Sequence, residues 1–477
     1  MMISRAEGAR SHLQKIEISL LRSVLADSSW LSKREEATFR WAFSMARLTK
    51  CFSDQEKNKE SLKIDDLLER YRQKLCEILE PALDKSGKKI IKEAIKSCLG
   101  PVEKLAKNER ESLLKTISNK ISPQSLDEAI RKRPLSLTLS GGGGAAYVFV
   151  GALLALEEQK IIPSVISGSS MGSIIAAYRA KSKKFFIDEL VDLVSSTRWN
   201  NIAEPFSGSS TFGIPATFKL DLREVVGEGF KKNSRYLRLR DLAIPLRVCV
   251  AGLSSAQPIS ESDLKKYAHL FYEEKYTDAL LLKAKQPSVV SRIMEFAQKP
   301  LKAIYLGGDS LTKEFDVLDA VGFSSAIPGV FHYDIFRGDE RMLELTKSLM
   351  IREGVSRLID GGFVDNLPTI EAIRAIDEGI AFGFDPLVVG LDCFSPGLNR
   401  HWIFYPIMRF AMENSRAGHQ LSQISVRFSK VLSPINFIPT KENFHYAIKS
   451  GYEEMVPHIE LIKMALGPIP DPVWLTA

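Results

Sequence analysis

The pentapeptide Gly168-Ser169-Ser170-Met171-Gly172 is the densest chemical signal in the chain. A serine that attacks an ester must stand on a sharp strand-to-helix turn with its Oγ exposed. Glycines two positions before and after it let neighbouring backbone pack against that turn. The helix that follows directs its dipole and free N–H groups at the reacting oxygen. The flanks supply this setting. Val165 to Gly168 reads as an apolar strand, and Ser173 to Ala180 has helical apolar spacing. Ser170 is therefore the candidate nucleophile, with Gly168 and Gly172 as the glycines of its elbow. A second cluster, Ser140-Gly141-Gly142-Gly143-Gly144, lies between another apolar run and another helical pattern. Bare backbone there could cradle a phosphate, hold an oxyanion or serve as a linker. No Lys-Ser/Thr follows, so it is not a P-loop, and the dinucleotide pattern fails at Ala146. Four glycines wedged between strand and helix, without a Ser/Pro flank, argue against a linker. The oxyanion reading remains, with the amides of Gly141, Gly142, Gly143 and Gly144 facing the oxygen that turns negative during attack.

The third feature is Leu358 to Pro368, LIDGGFVDNLP, in which Asp360 ends a short apolar run. Asp-Gly is a common turn. Beside a serine nucleophile, however, an acid at a strand's C-terminal end is the candidate base, since open α/β sheets gather their sites there. Asp365 in the same segment reads as a surface or turn residue. A triad would need a histidine, and the seven are His12, His269, His332, His401, His419, His445 and His458. None sits in a comparable strand-end motif. His332, in GVFHYDIF, comes nearest and reads as structural. The pattern points to a two-residue Ser170–Asp360 mechanism. A carboxylate with its ordinary pKa near 4 is a weak base for an alcohol, so burial must raise that of Asp360.

These residues need elements to hold them. Leu135 to Leu139, Val165 to Gly168, Pro245 to Leu253, Arg357 to Ile359 and Pro386 to Asp392 are continuous apolar runs, as strands buried on both faces are. Strand, glycine loop, helix, strand, tight turn and helix form a βαβα unit, which implies a mainly parallel sheet with right-handed crossovers. The expected class is α/β, a sheet flanked by helices, with helical N-terminal and C-terminal regions. Expected bounds are 1–133 for an N-terminal helical domain, 134–395 for the catalytic domain and 396–477 for the C-terminal region. The stretch 254–312, rich in Lys, Glu and Tyr, reads as a helical insertion or lid.

The chain has 477 residues and a formal net charge of +7. Its apolar and charged fractions, 45% and 26%, are those of an ordinary globular protein and exclude fibrous and disordered classes. Residues 1–133 hold 28 Lys and Arg against 20 Asp and Glu, so the excess of +8 lies there and the rest is nearly neutral. Two readings stand: a solvated helical surface, or a face that docks on an anionic membrane or acidic partner. Five scattered cysteines fit neither a disulfide framework nor a zinc site. The N-terminus lacks the apolar core of a cleavable signal peptide, and no apolar stretch is long enough to span a bilayer. Membrane contact is then expected to be peripheral. The aromatic-basic stretch HWIFYPIMRF, residues 401–410, could meet a membrane or form a core helix.

With these motifs in order, the sequence resembles the patatin-like phospholipase family over about residues 134–395. SGGGGAAYVFVGALLALEE follows the family's oxyanion block, roughly S/D-G-G-G-x-R-G and then G-x-L-x-A-L. GSSMG matches G-T-S-M-G, and DGGFVDNLP matches D-G-G-x-x-x-N-x-P. GFSSAIPGVF, residues 322–331, matches a weaker A-S-x-A-I-P-G-x-F block. The departure is Ala145-Ala146 where the family usually has Arg-Gly. The resemblance implies Ser170 as nucleophile, Asp360 as base of a Ser-Asp dyad and Gly141–Gly144 as oxyanion hole. It implies phospholipid or lysophospholipid substrates at a membrane surface, and no metal, cofactor or nucleic acid. The layout is also similar to bacterial effector phospholipases, made in the bacterial cytoplasm and injected into host cells without a cleaved leader. That likeness implies activation by a host protein such as ubiquitin or a small GTPase. The competing class is a weak or inactive scaffold whose flanking helices bind a host protein or a membrane.

Overall fold

The computed structural model describes residues 5–52, 61–85, 87, 89–206, 210–256, 299–379, 384–394 and 405–476. The chain divides into two compact units. One comprises Met1–Leu135, Ala375–Leu387 and His458–Ala477, the other Ser136–Arg374 and Val388–Pro457.

The first unit is a helical bundle. Helices α1 (Arg5–Ala26), α2 (Lys33–Arg47), α3 (Glu69–Leu79), α4 (Leu99–Ile117) and α5 (Pro123–Arg131) account for most of it. Ser32 and Glu35 start α2 with a reciprocal cap: Ser32 Oγ accepts from the Glu35 N–H at 3.3 Å, and Glu35 Oε2 from the Ser32 N–H at 2.7 Å. The apolar stripe around α3 closes this unit's own core. Leu68, Tyr71, Leu75 and Leu79 are buried against Phe39, Trp41, Val102 and Leu126. Leu67, on the same stripe, is exposed.

The second unit is built on a mixed sheet with helices around it. Its strands are β1 (Leu135–Leu139), β2 (Val165–Ser169), β3 (Leu246–Ser254), β4 (Leu301–Leu306), β5 (Val355–Asp360), β6 (Leu387–Asp392) and β7 (Ile424–Arg427). Their spatial order is β4-β3-β2-β1-β6-β7, and β5 also pairs with β3. β1 with β2, β2 with β3 and β6 with β7 run parallel. The five strands expected from apolar runs are all present. β4 and β5 pair antiparallel with β3, so the sheet is mainly but not wholly parallel.

Part of the expected insertion is corrected. Residues 257–298 of 254–312 lie outside the described residues, but 301–306 form strand β4 rather than helix. Only Ile304 and Leu306 of that strand are buried, so its sequence lacks the continuous apolar signature. The C-terminal region is helical, with α11 (Tyr405–Leu421) and α12 (Lys441–Leu466), and it also carries β7. That strand is four residues long with alternating burial, too short to stand out in sequence. Residues 401–404 of the aromatic-basic stretch lie outside the described residues.

Helices α6 (Val148–Glu158), α7 (Ser170–Ala180), α8 (Ile187–Ser196), α9 (Val317–Ser324) and α10 (Thr369–Asp377) complete the elements that frame the site. The register of β3 sets that site. One of its edges carries β4, opposite residues 248–253. The other edge is shared. β2 occupies Leu246 to Cys249, and β5, running the opposite way, occupies Val250 to Ser254. Ser169 aligns with Cys249 and Asp360 with Val250, so the C-terminal ends of β2 and β5 meet head to head.

Candidate active site

Ser170 follows β2 directly and opens α7 with φ of 50°. A non-glycine residue there costs about 1–3 kcal/mol and persists only where its surroundings hold it. The hold is visible. The Ser170 N–H donates to Ser324 Oγ at 2.9 Å, and that hydroxyl donates to the Cys249 carbonyl at 2.6 Å. Ser324 ends α9, within the motif at 322–331. The elbow is also tight. A Cβ on Gly172 would lie 2.2 Å from the Ser140 carbonyl oxygen, and one on Gly168 would lie 2.8 Å from Ser173 Cα. Any side chain at either position would force the turn open.

Asp360 ends β5, and its Oδ2 accepts from Ser170 Oγ at 2.5 Å. Its Oδ1 accepts from the Gly362 N–H at 2.8 Å. Asp360 is 3% exposed and Ser170 6%, so the nucleophile is not the openly exposed hydroxyl expected from sequence. Burial raises the Asp360 pKa to about 7, against the pull of the two hydrogen bonds. The carboxylate is therefore more basic than an ordinary aspartate and titrates near neutral pH.

The glycine loop lies beside this pair: a Cβ on Gly141 would fall 2.9 Å from Ser170 Cβ. Its four amides are not equivalent, which corrects the expectation that all four face the oxyanion. The Gly141 N–H donates to the Asn366 carbonyl at 3.1 Å and the Gly144 N–H to the Pro434 carbonyl at 2.8 Å. Among the described residues, the Gly142 and Gly143 N–H groups have no such partner. Gly143 has a φ of 52° and Gly142 abuts Cys393 Sγ, so a side chain fits at neither. Ala145 and Ala146 are fully buried, and Tyr147 just beyond donates its hydroxyl to the Phe437 carbonyl at 2.7 Å. An arginine at 145 or 146 would place its stem where no solvent reaches.

The Asp360 loop is clamped from α11. Asn414 Nδ2 donates to the Gly362 carbonyl at 3.0 Å. Asn366 Nδ2 donates to Ser415 Oγ at 3.0 Å, and the rings of Phe363 and Phe410 lie 5.9 Å apart. Asn366 belongs to a sequence motif; Asn414 and Ser415 carry no sequence signal. Asp365, expected at the surface, is half-buried and accepts from Tyr305 Oη at 2.7 Å. Burial raises its pKa to about 6.

Among the described residues, no histidine takes part in the Ser170–Asp360 bond. His332 is buried, with Nδ1 2.8 Å from the Ile214 carbonyl, and burial lowers its pKa. His419 joins Asp392 at 2.7 Å and Ser425 at 3.2 Å, fastening α11 to β6 and β7.

Among the described residues, no helix is long and apolar enough to cross a membrane. A comparison with curated proteins found no match. Residues 137–373 match the family model for patatin-like phospholipases, and this span contains the glycine loop, Ser170 and Asp360. The chain thus carries a patatin-like phospholipase domain, which supports a lipid acyl hydrolase at the level of that family.

Proposed function

We propose that this protein hydrolyses fatty-acyl esters of phospholipids or lysophospholipids, as a phospholipase A or lysophospholipase, by a Ser170–Asp360 dyad. The observation that carries this reading is the 2.5 Å hydrogen bond from Ser170 Oγ to a buried Asp360. Asp360 takes the Ser170 hydroxyl proton as Oγ attacks the acyl carbonyl carbon. The free amides of Gly142 and Gly143 receive the developing oxyanion. The intermediate collapses, the ester C–O bond breaks, and the departing alcohol takes the proton from Asp360. Water, deprotonated by Asp360, then attacks the acyl-serine, the Oγ–C bond breaks, Ser170 Oγ takes the proton back from Asp360, and the fatty acid leaves. Burial supplies the basicity this cycle needs, since it brings the Asp360 pKa to about 7.

The biological setting is the second part of the proposal. The enzyme acts as a bacterial effector on host membranes, bound peripherally and activated by a host protein such as ubiquitin or a small GTPase. Its support is the likeness of layout to injected phospholipases and the excess of +8 in residues 1–133. That excess would suit an anionic membrane or an acidic partner.

The test is labelling with a fluorophosphonate and fatty-acid release from a lipid panel, each with and without eukaryotic extract. Wild type should label and release fatty acid, and Ser170→Ala should do neither. A wild-type protein silent under every condition would leave the scaffold reading in its place. Activity that needs no extract would remove the activator from the proposal.

A further inference from the structure

Helix α11 begins beyond residue 395, where the sequence sets the end of the catalytic domain, yet it belongs to the same compact unit as the site. Phe410, Asn414 and Gly418 follow one another along it at i, i+4 and i+8, with Ser415 beside them, so the four share one side of the helix. That side meets the loop that follows Asp360 at successive points. Phe410 packs on Phe363, and Asn414 holds the Gly362 carbonyl. Gly418 meets the loop with bare backbone. A Cβ there would run into the Leu367 carbonyl oxygen and fall 2.9 Å from Leu367 Cβ.

Ser415 is fully buried, and its hydroxyl has a fixed direction. It donates to the Ala411 carbonyl at 2.9 Å, which leaves its lone pairs for Asn366 Nδ2 at 3.0 Å. Asn366 in turn touches both halves of the site. Its carbonyl accepts from the Gly141 N–H at 3.1 Å, and its Nδ2 lies 3.5 Å from the Gly141 carbonyl. Its Oδ1 lies 2.7 Å from where a Cβ on Gly141 would sit, and 2.9 Å from where one on Gly362 would sit. The amide is wedged between the start of the oxyanion loop and the glycine whose N–H reaches Asp360.

We infer that α11 is the template that spaces the acid from the oxyanion loop, with Ser415 and Gly418 as its positioning residues. The inference rests on the dyad reading above. Neither residue touches the reacting atoms. Ser415 orients Asn366, and Asn366 sets Gly141, from which the free amides of Gly142 and Gly143 follow. Gly418 sets how closely the helix approaches the loop. Donors and base act together only when their supports fix them within a fraction of an ångström. A misplacement of about 1 Å can cost about 10²-fold in rate.

The experiment measures kcat and KM for ester hydrolysis, and amide exchange over 140–147, on the same full-length proteins. Gly418→Ala removes no polar group and favours the helix, so any loss of rate comes from distance. Its kcat should fall by about 10²-fold with KM within about twofold of wild type. Ser415→Ala frees Asn366 to turn and should cost about tenfold in kcat. Once Asn366 is replaced by alanine, Ser415→Ala should cost nothing more, because the two residues act in one chain. Arg416→Ala, on the exposed side of the same helix, should leave kcat unchanged. Exchange over 140–147 should quicken several-fold in Gly418→Ala and Ser415→Ala and stay as in wild type in Arg416→Ala. Folded Gly418→Ala and Ser415→Ala that both keep kcat within about threefold overturn the template. If Gly418→Ala gives no cooperative melt, Ser415→Ala decides by its kcat and by the absence of a further loss beside Asn366→Ala. A wild type that hydrolyses no ester removes the dyad reading. Exchange then decides the template by itself, and unchanged exchange overturns it too.

Discussion

Arg72 in the helical unit and Asp360 in the sheet unit are both charged residues taken out of water, and their surroundings could hardly differ more. Arg72 is 1% exposed. Its Nε donates to the Ala46 carbonyl at 2.7 Å, and its Nη2 to the Leu48 carbonyl and to Asp65, each at 2.8 Å. The cation is answered on every side by acceptors and by an acid, and it ties α2 to α3. Asp360 is as deeply buried but, among the described residues, has no cation beside it, only a serine hydroxyl and one backbone N–H. Burial by itself therefore identifies nothing. A compensated charge holds a structure together. An uncompensated carboxylate beside a nucleophile titrates near neutrality and is available for chemistry.

The strongest way to break this contrast is to neutralise Asp360. Asp360→Asn should lower kcat by about 10³-fold or more, by analogy with removal of the acid from a serine triad. Wild-type activity should rise with pH through about 7, following the carboxylate. The same substitution has a signature in stability. The folded pKa lies above the unfolded one, so the stabilising contribution of this group is full below about pH 4 and is lost as pH rises through about 7. Asp360→Asn should therefore melt higher than wild type at pH 8, by several degrees, with the gap closing toward pH 4. A variant no more stable than wild type at pH 8 would mean that Asp360 is not held against its charge.

Arg72 should behave in the opposite manner. Arg72→Met removes the nearer of Asp65's two cations, Arg10 lying at 3.8 Å, and leaves the Ala46, Leu48 and Asp65 carbonyls without its donors; it should cost about 3–5 kcal/mol in denaturant unfolding. The pH midpoint of activity should not move. A cost below about 1 kcal/mol would place Arg72 among the surface charges and dissolve the comparison.

The smallest effect is expected at Asn414. Its bond to the Gly362 carbonyl steadies the glycine whose own N–H, in the preceding peptide, reaches Asp360 Oδ1. That N–H lowers the Asp360 pKa, so Asn414→Ala should shift the acidic limb of the rate profile upward, by about half a unit, with a few-fold loss of rate. A uniform loss with no shift would reduce Asn414 to packing.

Much of the site is legible in the amino-acid sequence because its demands are local. An elbow serine needs small residues within two positions, and a glycine loop needs bare backbone in one run. Spacing is enough to name Ser170, Gly168, Gly172, the loop at 141–144 and Asp360. The five strands with unbroken apolar runs are equally legible. β4 and β7 are not, because edge strands of alternating burial share their pattern with amphipathic surface segments. Asn414 and Ser415 are not, because a polar residue on a helix carries no sign of what it faces. Asp365 reads as a surface residue for the same reason: its partner Tyr305 stands 60 residues away.

The sequence by itself determined which groups could react, since residue type and short spacing are enough to specify an elbow, a loop and an acid at a strand end. The tertiary structure decided whether they work together. Ser170 and Asp360 are 190 residues apart and meet because β2 and β5 share one edge of β3, running toward each other. The fold also decided that, among the described residues, Gly142 and Gly143 keep free amides, because the Asn366 and Pro434 carbonyls come back to take the other two. It decided, through the depth of burial at that junction, that the pKa of an ordinary carboxylate rises to about 7. Register and burial are relations between distant segments, and no single stretch of the chain contains them.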